Sequence, residues 1–89
     1  MKILYTNQFK KDYKRIQKQN KDLTKLRLVI EKLVSQKLLE ARYRDHPFSG
    51  NLRGFRDCHI EPDWLLIYKR TEEMLILERT GSHAELFKK

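Results

Sequence analysis

The sequence predicts an α+β fold: an N-terminal strand, an antiparallel two-helix hairpin, a three-stranded antiparallel meander that completes one sheet, and a short C-terminal helix. Two patterns indicate this order. Apolar residues recur every three or four positions as far as Leu33, as in helices, and from Leu52 they form short runs between turn residues, as in strands. A chain of 89 residues has room for one core, so we expect a single domain over residues 1–89.

A short strand and a first helix are predicted at the start of the chain. Lys2 to Tyr5 have the composition of a strand, and Thr6 or Asn7 can cap the helix that follows. The apolar stripe of this helix consists of Tyr5, Phe9, Tyr13 and Ile16. Basic residues are expected on the opposite face: Lys10, Lys11, Lys14, Arg15 and Lys18. The positive charge of this helix should therefore point away from the core.

The second predicted helix begins after the polar stretch Gln19 to Asp22, where Asp22 can serve as its cap. Its apolar face consists of Leu23, Leu26, Ile30 and Leu33. The two helices are interpreted as an antiparallel hairpin. A longer coiled coil is the alternative, but the heptad-like spacing covers fewer than two heptads.

Loop residues, strands and a last helix are predicted in the second half. Asp45-His46-Pro47 and Ser49-Gly50-Asn51 have loop composition, and strands are expected at about 52–60, 64–70 and 73–80. The turns between them are Glu61-Pro62-Asp63 and one near Thr71-Glu72. Continuous apolar runs at 64–68 and 74–77 predict that the last two strands are central and covered on both faces. Gly81 ends the sheet, and Ser82 can cap a helix over 83–87.

Charge is distributed unevenly along the chain. Residues 1–44 carry thirteen Lys/Arg against four Asp/Glu, and residues 45–89 carry seven against eight, so the halves are +9 and −1. The basic half suggests contact with nucleic acid, another anionic surface or an acidic protein, the alternative being a solvated helix face. The single cysteine, Cys58, allows no internal disulfide, and no apolar run is long enough to span a membrane. We therefore expect a cytoplasmic protein without a membrane partner.

Three histidines, His46, His59 and His83, all lie in the second half of the chain. Imidazole takes and gives protons near neutral pH, and Arg79 and two acids lie nearby in sequence, so the pattern suggests a metal-free acid-base site. A zinc site and three unrelated surface histidines are the alternatives. Spacings of thirteen and twenty-four residues match no short zinc-ligand pattern, which disfavours the metal.

Neighbouring residues refine this hypothesis. Asp57 and His59 are two apart, so on a strand they share a face, and Cys58 between them points to the other face. Arg79 precedes His83 across a turn, where a guanidinium beside a helix start could bind phosphate. Trp64 is either a core residue or a stacking platform for a base. Phe87 is interpreted mainly as a core residue of the last helix, although it could also stack.

Read together, these residues resemble a known family. The segments Asp45-His46-Pro47, Gly54 to Trp64 (GFRDCHIEPDW), Glu78 to His83 (ERTGSH) and Leu86-Phe87 are similar to those of YafQ-type toxins in the RelE/ParE superfamily. The resemblance covers essentially the whole chain, and the HIEPDW block is its specific part. It implies a RelE-like fold and a ribosome-dependent mRNA endonuclease that needs no cofactor. It also implies a cognate antitoxin as inhibitor, with DNA contacted only indirectly through the antitoxin complex.

The resemblance also implies roles for particular residues. The family's functional positions correspond to His46, Asp57, His59, Asp63, Trp64, Arg79, His83 and Phe87. We expect His83 and either His46 or His59 to transfer protons, the two acids to orient them, and Arg79 to hold the phosphate. Trp64 and Phe87 would support the site. The residues expected to contact ribosomal RNA are Lys10, Lys11, Lys14, Lys18, Lys25 and Arg27.

Two other functions compete with this reading. A toxin of the same superfamily can instead bind and poison a DNA topoisomerase without catalysis, in the manner of ParE, because a shared fold does not determine function. A plain basic RNA-binding domain is the second alternative. The histidine set favours the nuclease, since a binding module needs no groups that transfer protons.

Overall fold

A five-stranded mixed sheet with two helices on one face forms the fold, and the computed structural model describes it for residues 1–48 and 54–87. In chain order the elements are β1 (Lys2–Tyr5), α1 (Asn7–Lys18), α2 (Leu23–Val34), a 3-10 turn (Ala41–Tyr43), β2 (His46–Pro47), β3 (Arg56–Glu61), β4 (Trp64–Arg70), β5 (Met74–Gly81) and α3 (His83–Phe87). The predicted α+β class and element order are confirmed.

The strands lie in the spatial order β1-β5-β4-β3-β2. The meander β2 to β5 is antiparallel, whereas β1 pairs in parallel with β5, from Lys2 opposite Met74 to Tyr5 opposite Leu77. A parallel neighbour requires a long crossover connection, and here the chain between β1 and the meander includes the helical hairpin. The start of the chain is thereby fixed to its last strand.

Both hairpin helices begin at the predicted caps. The Thr6 hydroxyl accepts a hydrogen bond from the backbone N–H of Phe9, and the Asp22 carboxylate accepts one from Thr24. The buried faces differ slightly from the prediction: they are Phe9, Asp12 and Ile16 on α1, and Leu26, Val29 and Leu33 on α2. Tyr13 and Ile30 are only half-buried, because the sheet lies under the positions three and seven after Phe9 and Leu26, and Tyr13 and Ile30 are four after them.

Two strand predictions need correction. His46–Pro47 was expected in a loop but forms a two-residue edge strand against β3, where proline is tolerated because an edge position needs no N–H toward a second neighbour. Strand β3 begins at Arg56. The predicted strand start at residue 52 and the Ser49-Gly50-Asn51 loop lie outside the described residues.

The burial of the two strands predicted to be central agrees with the prediction for one strand and differs from it for the other. In β4 every residue from Trp64 to Tyr68 is buried, as predicted for a strand covered on both faces. In β5 the burial alternates, with Leu75 and Leu77 buried and Met74 and Ile76 half-buried, so the prediction of two-sided coverage was wrong for this segment. Strand β4 is in the middle of the sheet, and β5 lies nearer an edge. In the described parts of the chain no helix has the length and apolar character needed to cross a bilayer.

Candidate active site

The three histidines lie next to one another on the sheet face opposite the helical hairpin. Their ring centroids are 6.5 Å apart between His46 and His59, and 5.6 Å apart between His59 and His83. Strand pairing explains the convergence, because β2 places His46 directly opposite Asp57, two residues before His59 on β3. His83 then enters from the start of α3. Residues separated by up to 37 positions in sequence thus form one cluster of imidazoles.

Asp45 holds His46 in place by anchoring the start of β2. Its carboxylate accepts a hydrogen bond of 2.6 Å from the Tyr68 hydroxyl and one of 3.2 Å from the Arg56 guanidinium. The preceding Arg44 adopts a left-handed backbone conformation with φ 50°, uncommon for a residue with a side chain. This turn directs the Arg44 carbonyl at Nδ1 of His46, 2.6 Å away. Neither contact was apparent from the sequence.

His46 and Asp57 form an imidazole–carboxylate pair. A carbonyl only accepts hydrogen bonds, so Nδ1 of His46 carries hydrogen toward Arg44. Nε2 of the same ring lies 2.9 Å from Oδ1 of Asp57, within the distance of an ion pair but without the geometry of a hydrogen bond. Burial raises the pKa of Asp57 above its usual value despite the opposing charge of nearby histidines, so this carboxyl takes up a proton more readily than an exposed one.

His83 and Asp63 form a second imidazole–carboxylate pair at the surface. Oδ1 of Asp63 accepts hydrogen bonds from the backbone N–H of His83 at 2.9 Å and from its Nδ1 at 2.6 Å. These two bonds, the backbone one foremost, hold the pKa of Asp63 below its usual value. The carboxylate therefore stays ionised and fixes the tautomer of His83 with hydrogen on Nδ1. Nε2, on the far side of the ring, faces away from Asp63 and is half-exposed with the side chain.

His59 lies between these two pairs and is half-buried. Burial lowers the pKa of His59, and the positive charge that His83 can carry lowers it further. The central ring is therefore neutral at pH 7. A neutral imidazole can accept a proton or donate a hydrogen bond without adding charge to the cluster.

Asp12 binds Arg79, the expected phosphate-binding residue, from the first helix. The Arg79 guanidinium donates to both carboxylate oxygens of Asp12, at 2.8 Å from Nε and 3.1 Å from Nη2. Asp12 is fully buried and also accepts from the backbone N–H of Thr80 at 3.2 Å. Burial alone would raise the pKa of Asp12, but the hydrogen bonds from Arg79, Thr80 and Gln8 outweigh it and lower that pKa.

The sheet register places Arg79 on the histidine face. Asp57 pairs with Ile67, and Ile67 pairs with Arg79, so these residues lie in one row with His46. Paired residues on neighbouring strands point to the same side of a sheet. Asp12 was not among the predicted site residues, although its position three after Phe9 and four before Ile16 matches the core spacing of a helix.

Arg15 departs from its predicted outward position. Its Nη2 donates to the Thr80 carbonyl at 3.0 Å, and its guanidinium pairs with Asp12 at 3.2 Å and Glu85 at 3.2 Å. Arg15 therefore connects the first helix to the last. The reason is the position of α1. This helix runs along the part of β5 that lies beyond the pairing of β5 with β1, where the backbone groups of β5 need other partners.

A capping box fixes the start of α3, and with it His83. The Ser82 hydroxyl accepts from the backbone N–H of Glu85 at 3.2 Å, and the Glu85 carboxylate accepts from the backbone N–H of Ser82 at 2.9 Å. This confirms Ser82 as the predicted cap. Gly81, just before it, has φ 153°, and a Cβ there would lie 2.5 Å from Nη2 of Arg15.

Replacing Gly81 by alanine is expected to destabilise the protein by about 1–3 kcal/mol, because the backbone would be strained and Arg15 would have to leave its three partners. Urea unfolding followed by circular dichroism measures the change. Asn7→Ala, an exposed substitution on α1, serves as the control. An unchanged unfolding midpoint for Gly81→Ala would contradict the close approach described for this turn.

Trp64 lies in the core, one of the two places predicted for it, whereas Phe87 does not lie in the core. Trp64 is completely buried, and its Nε1 donates to the Thr80 hydroxyl at 2.9 Å, so the stacking-platform alternative is wrong and the core position holds. Phe87 is 40% exposed, so its interpretation as a core residue is wrong. Its ring lies 6.2 Å from that of His83 and is stacked on Phe48 at 6.0 Å. An aromatic pair, with Phe87 exposed and Phe48 half-buried, therefore borders the histidine cluster.

Cys58 points to the opposite side of the sheet, as predicted. It belongs to the core cluster beneath the helices, and burial raises the pKa of its thiol. A buried thiol of this kind is not a nucleophile. Within residues 1–48 and 54–87, no three histidine, cysteine or acidic side chains are arranged to hold a metal ion.

Most of the basic residues expected to contact RNA are exposed on the helices. They are Lys10, Lys11, Lys14 and Lys18 on α1 and Arg27 on α2. Lys25 differs, because its Nζ lies 2.8 Å from Oε2 of Glu61. This ion pair largely neutralises the charge of Lys25, so the exposed positive surface lies mainly along α1.

The fold is that of a bacterial toxin of a type II toxin–antitoxin system. The family model described as "Bacterial toxin of type II toxin-antitoxin system, YafQ" matches residues 1–88. The chain belongs to the YafQ family.

Individual relatives agree with this assignment. The mRNA interferase toxin YafQ of Escherichia coli strain K12 is 50% identical over 86 residues, which cover 96% of this chain and 94% of that protein. The crystal structure of the E. coli DinJ-YafQ complex matches with a TM-score of 0.89 and 49% identity, covering 96% of both chains. YafQ from E. coli strain BL21(DE3) matches with a TM-score of 0.90, 49% identity and the same coverage.

Proposed function

We propose that this toxin is a ribosome-dependent endoribonuclease that cleaves translated mRNA by acid-base catalysis with its histidines and so inhibits translation. The mRNA interferase activity agrees with the family and with the E. coli relative at 50% identity. The observation that supports the mechanism is the convergence of two imidazole–carboxylate pairs around His59, on the sheet face that also carries Arg79. A non-catalytic topoisomerase poison would not need these pairs.

RNA cleavage of this kind requires two proton transfers at one phosphate. A base removes the proton of the 2′-hydroxyl, the 2′-oxygen forms a bond to phosphorus, and the bond from phosphorus to the 5′-oxygen breaks. An acid then gives a proton to the departing 5′-oxygen. The products are a 2′,3′-cyclic phosphate and a 5′-hydroxyl.

The two imidazole–carboxylate pairs supply these groups. His83 presents Nε2 to solvent with its tautomer fixed by Asp63, and Nε2 of His46 lies 2.9 Å from the buried Asp57 carboxyl. His59 is a neutral neighbour of both rings. One pair serves as base and the other as acid, and Asp63 stabilises the charge that His83 gains. In the other pair Nδ1 of His46 is held by the Arg44 carbonyl, so His46 exchanges its proton with the substrate through Nε2 when this nitrogen turns away from Asp57.

Arg79 stabilises the phosphate in this proposal. Its guanidinium stays charged beside Asp12, which uses Nε and Nη2 and thereby fixes the plane of the group. A guanidinium held in this way can offer its remaining donors to a phosphate as negative charge develops in the transition state. Asp12 acts on the reaction only through Arg79.

The partners of the toxin are proposed from its relatives and its charge. A cognate antitoxin is the expected inhibitor, since the E. coli relative is known in complex with DinJ. Ribosomal RNA is the expected docking surface for the exposed lysines of α1, because such contacts bind phosphates without reading sequence.

The experiment that tests this function uses labelled mRNA incubated with the purified toxin, with and without programmed ribosomes. Cleavage is expected only with ribosomes, and the upstream fragment should end in a 2′,3′-cyclic phosphate, detectable by its resistance to phosphatase until acid treatment. Intact mRNA in both reactions would overturn the proposal. If purified topoisomerase is inhibited instead, the non-catalytic alternative replaces it.

Removing the charge of α1 is expected to weaken ribosome binding. The variant with Lys10, Lys11, Lys14 and Lys18 all changed to glutamine should raise KM for programmed ribosomes by at least about tenfold, and should reduce the slope of log affinity against log salt by about three. Binding measured at several salt concentrations provides both values. A slope equal to that of the wild type would show that these lysines do not contact phosphates.

A further inference from the structure

A cavity of about 490 Å³ adjoins the histidine cluster, with His59 in its wall. This volume lies in the range of small-molecule sites in proteins. The cavity lies between α2, the 3-10 turn region and the end of β3, and nothing in the mechanism described above uses it. Because His59 belongs to both, a ligand bound at the histidines would lie beside this cavity.

The wall of the cavity has an apolar part and a positively charged part. Leu28, Ile60 and Pro62 form the apolar part, and Lys25, Arg42 and Arg44 contribute the cations. Glu61, the one acid in the wall, is paired with Lys25 at 2.8 Å. The net charge of the wall is therefore positive. Arg42 also lies 3.7 Å from Glu40, which is outside the wall, so Arg44 contributes most of the available positive charge.

Arg44 connects the cavity to the active site. Its charge contributes to the low pKa of His59, so the guanidinium is near that ring. Its carbonyl, directed by the left-handed backbone at φ 50°, accepts the hydrogen bond from His46. One residue thus lines the cavity with its side chain and orients a histidine with its backbone.

We propose that this cavity is a nucleotide subsite, which receives the mRNA nucleotide next to the scissile phosphate. Arg44 binds the phosphate of that nucleotide, and the wall of Leu28, Ile60 and Pro62 packs against its base. The inference rests on the proposed function. An acidic segment of an antitoxin would match the positive charge of the cavity. It would not account for the position of the cavity beside His59 of the active site, so RNA is the occupant we favour.

The test compares Arg44→Asn with wild type in ribosome-dependent cleavage over a range of programmed-ribosome concentrations. Asparagine tolerates the left-handed backbone conformation, so this variant removes the charge and keeps the carbonyl contact to His46. KM is expected to rise about ten- to a hundredfold, with kcat changed less than about twofold. Lys37→Asn, which removes an exposed charge away from the cavity, should leave both constants unchanged.

A second variant examines the apolar wall. Leu28 is 44% exposed, so Leu28→Ala should fold normally. Mapping the cut positions over a mixed transcript is expected to show a changed distribution of bases beside the cut.

The outcomes separate the two proposals. No cleavage by the wild type overturns both the function and the subsite. If the wild type cleaves mRNA and Arg44→Asn has an unchanged KM, the subsite alone is overturned. This holds also if Arg44→Asn has a lower kcat at unchanged KM, because Arg44 would then only position His46. Weaker antitoxin binding by Arg44→Asn with unaltered cleavage would replace the nucleotide by an acidic protein segment.

Discussion

Replacing His83 by alanine is expected to lower the rate of mRNA cleavage on the ribosome by about two to four orders of magnitude. The substitution removes Nε2, the exposed nitrogen of the His83–Asp63 pair, and leaves nothing in its place that can transfer a proton. Single-turnover cleavage with saturating ribosomes measures the loss directly, because binding then does not limit the rate.

The fold should tolerate this change. His83 is half-exposed and its partner Asp63 is exposed, so the loss of this contact should have little effect on stability. Leu38→Ala is a suitable control, since Leu38 is 87% exposed and does not belong to the histidine cluster. A His83→Ala protein that is folded and cleaves at the wild-type rate would remove His83 from the mechanism.

Replacing Asp12 by alanine is expected to reduce stability by about 3–5 kcal/mol, since it breaks a buried ion pair and leaves both the Arg79 guanidinium and the Thr80 N–H without their partner. Asp12→Asn should cost less, because the amide oxygen still accepts a hydrogen bond. Glu73→Gln, which removes an exposed charge, should have little effect. Urea unfolding compares the three variants, and an Asp12→Ala midpoint equal to wild type would refute the role assigned to this carboxylate.

The contribution of Asp12 to the free energy of unfolding should depend on pH. Its pKa is lower in the folded protein than in the unfolded chain, so the stability it provides is present above its ordinary pKa near 4 and is lost as pH falls through the folded value. The stability difference between wild type and Asp12→Asn should therefore be largest at neutral pH and should shrink in acid. A difference that grows in acid would indicate the opposite sign of the pKa shift.

Local signals in the sequence were sufficient for most of the fold. The caps Thr6, Asp22 and Ser82 were all identifiable because capping depends on a side chain and its own next few residues. The two-residue strand β2 was missed because so short a segment carries no periodicity. The parallel pairing of β1 with β5 was also not predicted, since it depends on how the helical hairpin returns the chain to the sheet.

The active site was predictable in composition but not in arrangement. The three histidines stood out by residue type, whereas their convergence depends on the pairing of β2 with β3 and on the position of α3. Asp12 was overlooked because an acid on a basic helix resembles a surface residue, although its helical spacing matches that of the core. Trp64 could not be assigned because a buried indole and a stacking indole have the same sequence neighbours.

The central claim is that His46 and His83 transfer the two protons in one cleavage reaction. Its most direct test is single-turnover cleavage of ribosome-bound mRNA with sulfur in place of the 5′-oxygen at the cut, because a thiolate leaves without a protonating acid. With this substrate, one of the two variants His46→Ala and His83→Ala should recover to near the wild-type rate, and the other should stay inactive. Equal responses of the two variants to the sulfur substrate would contradict the division of roles between them.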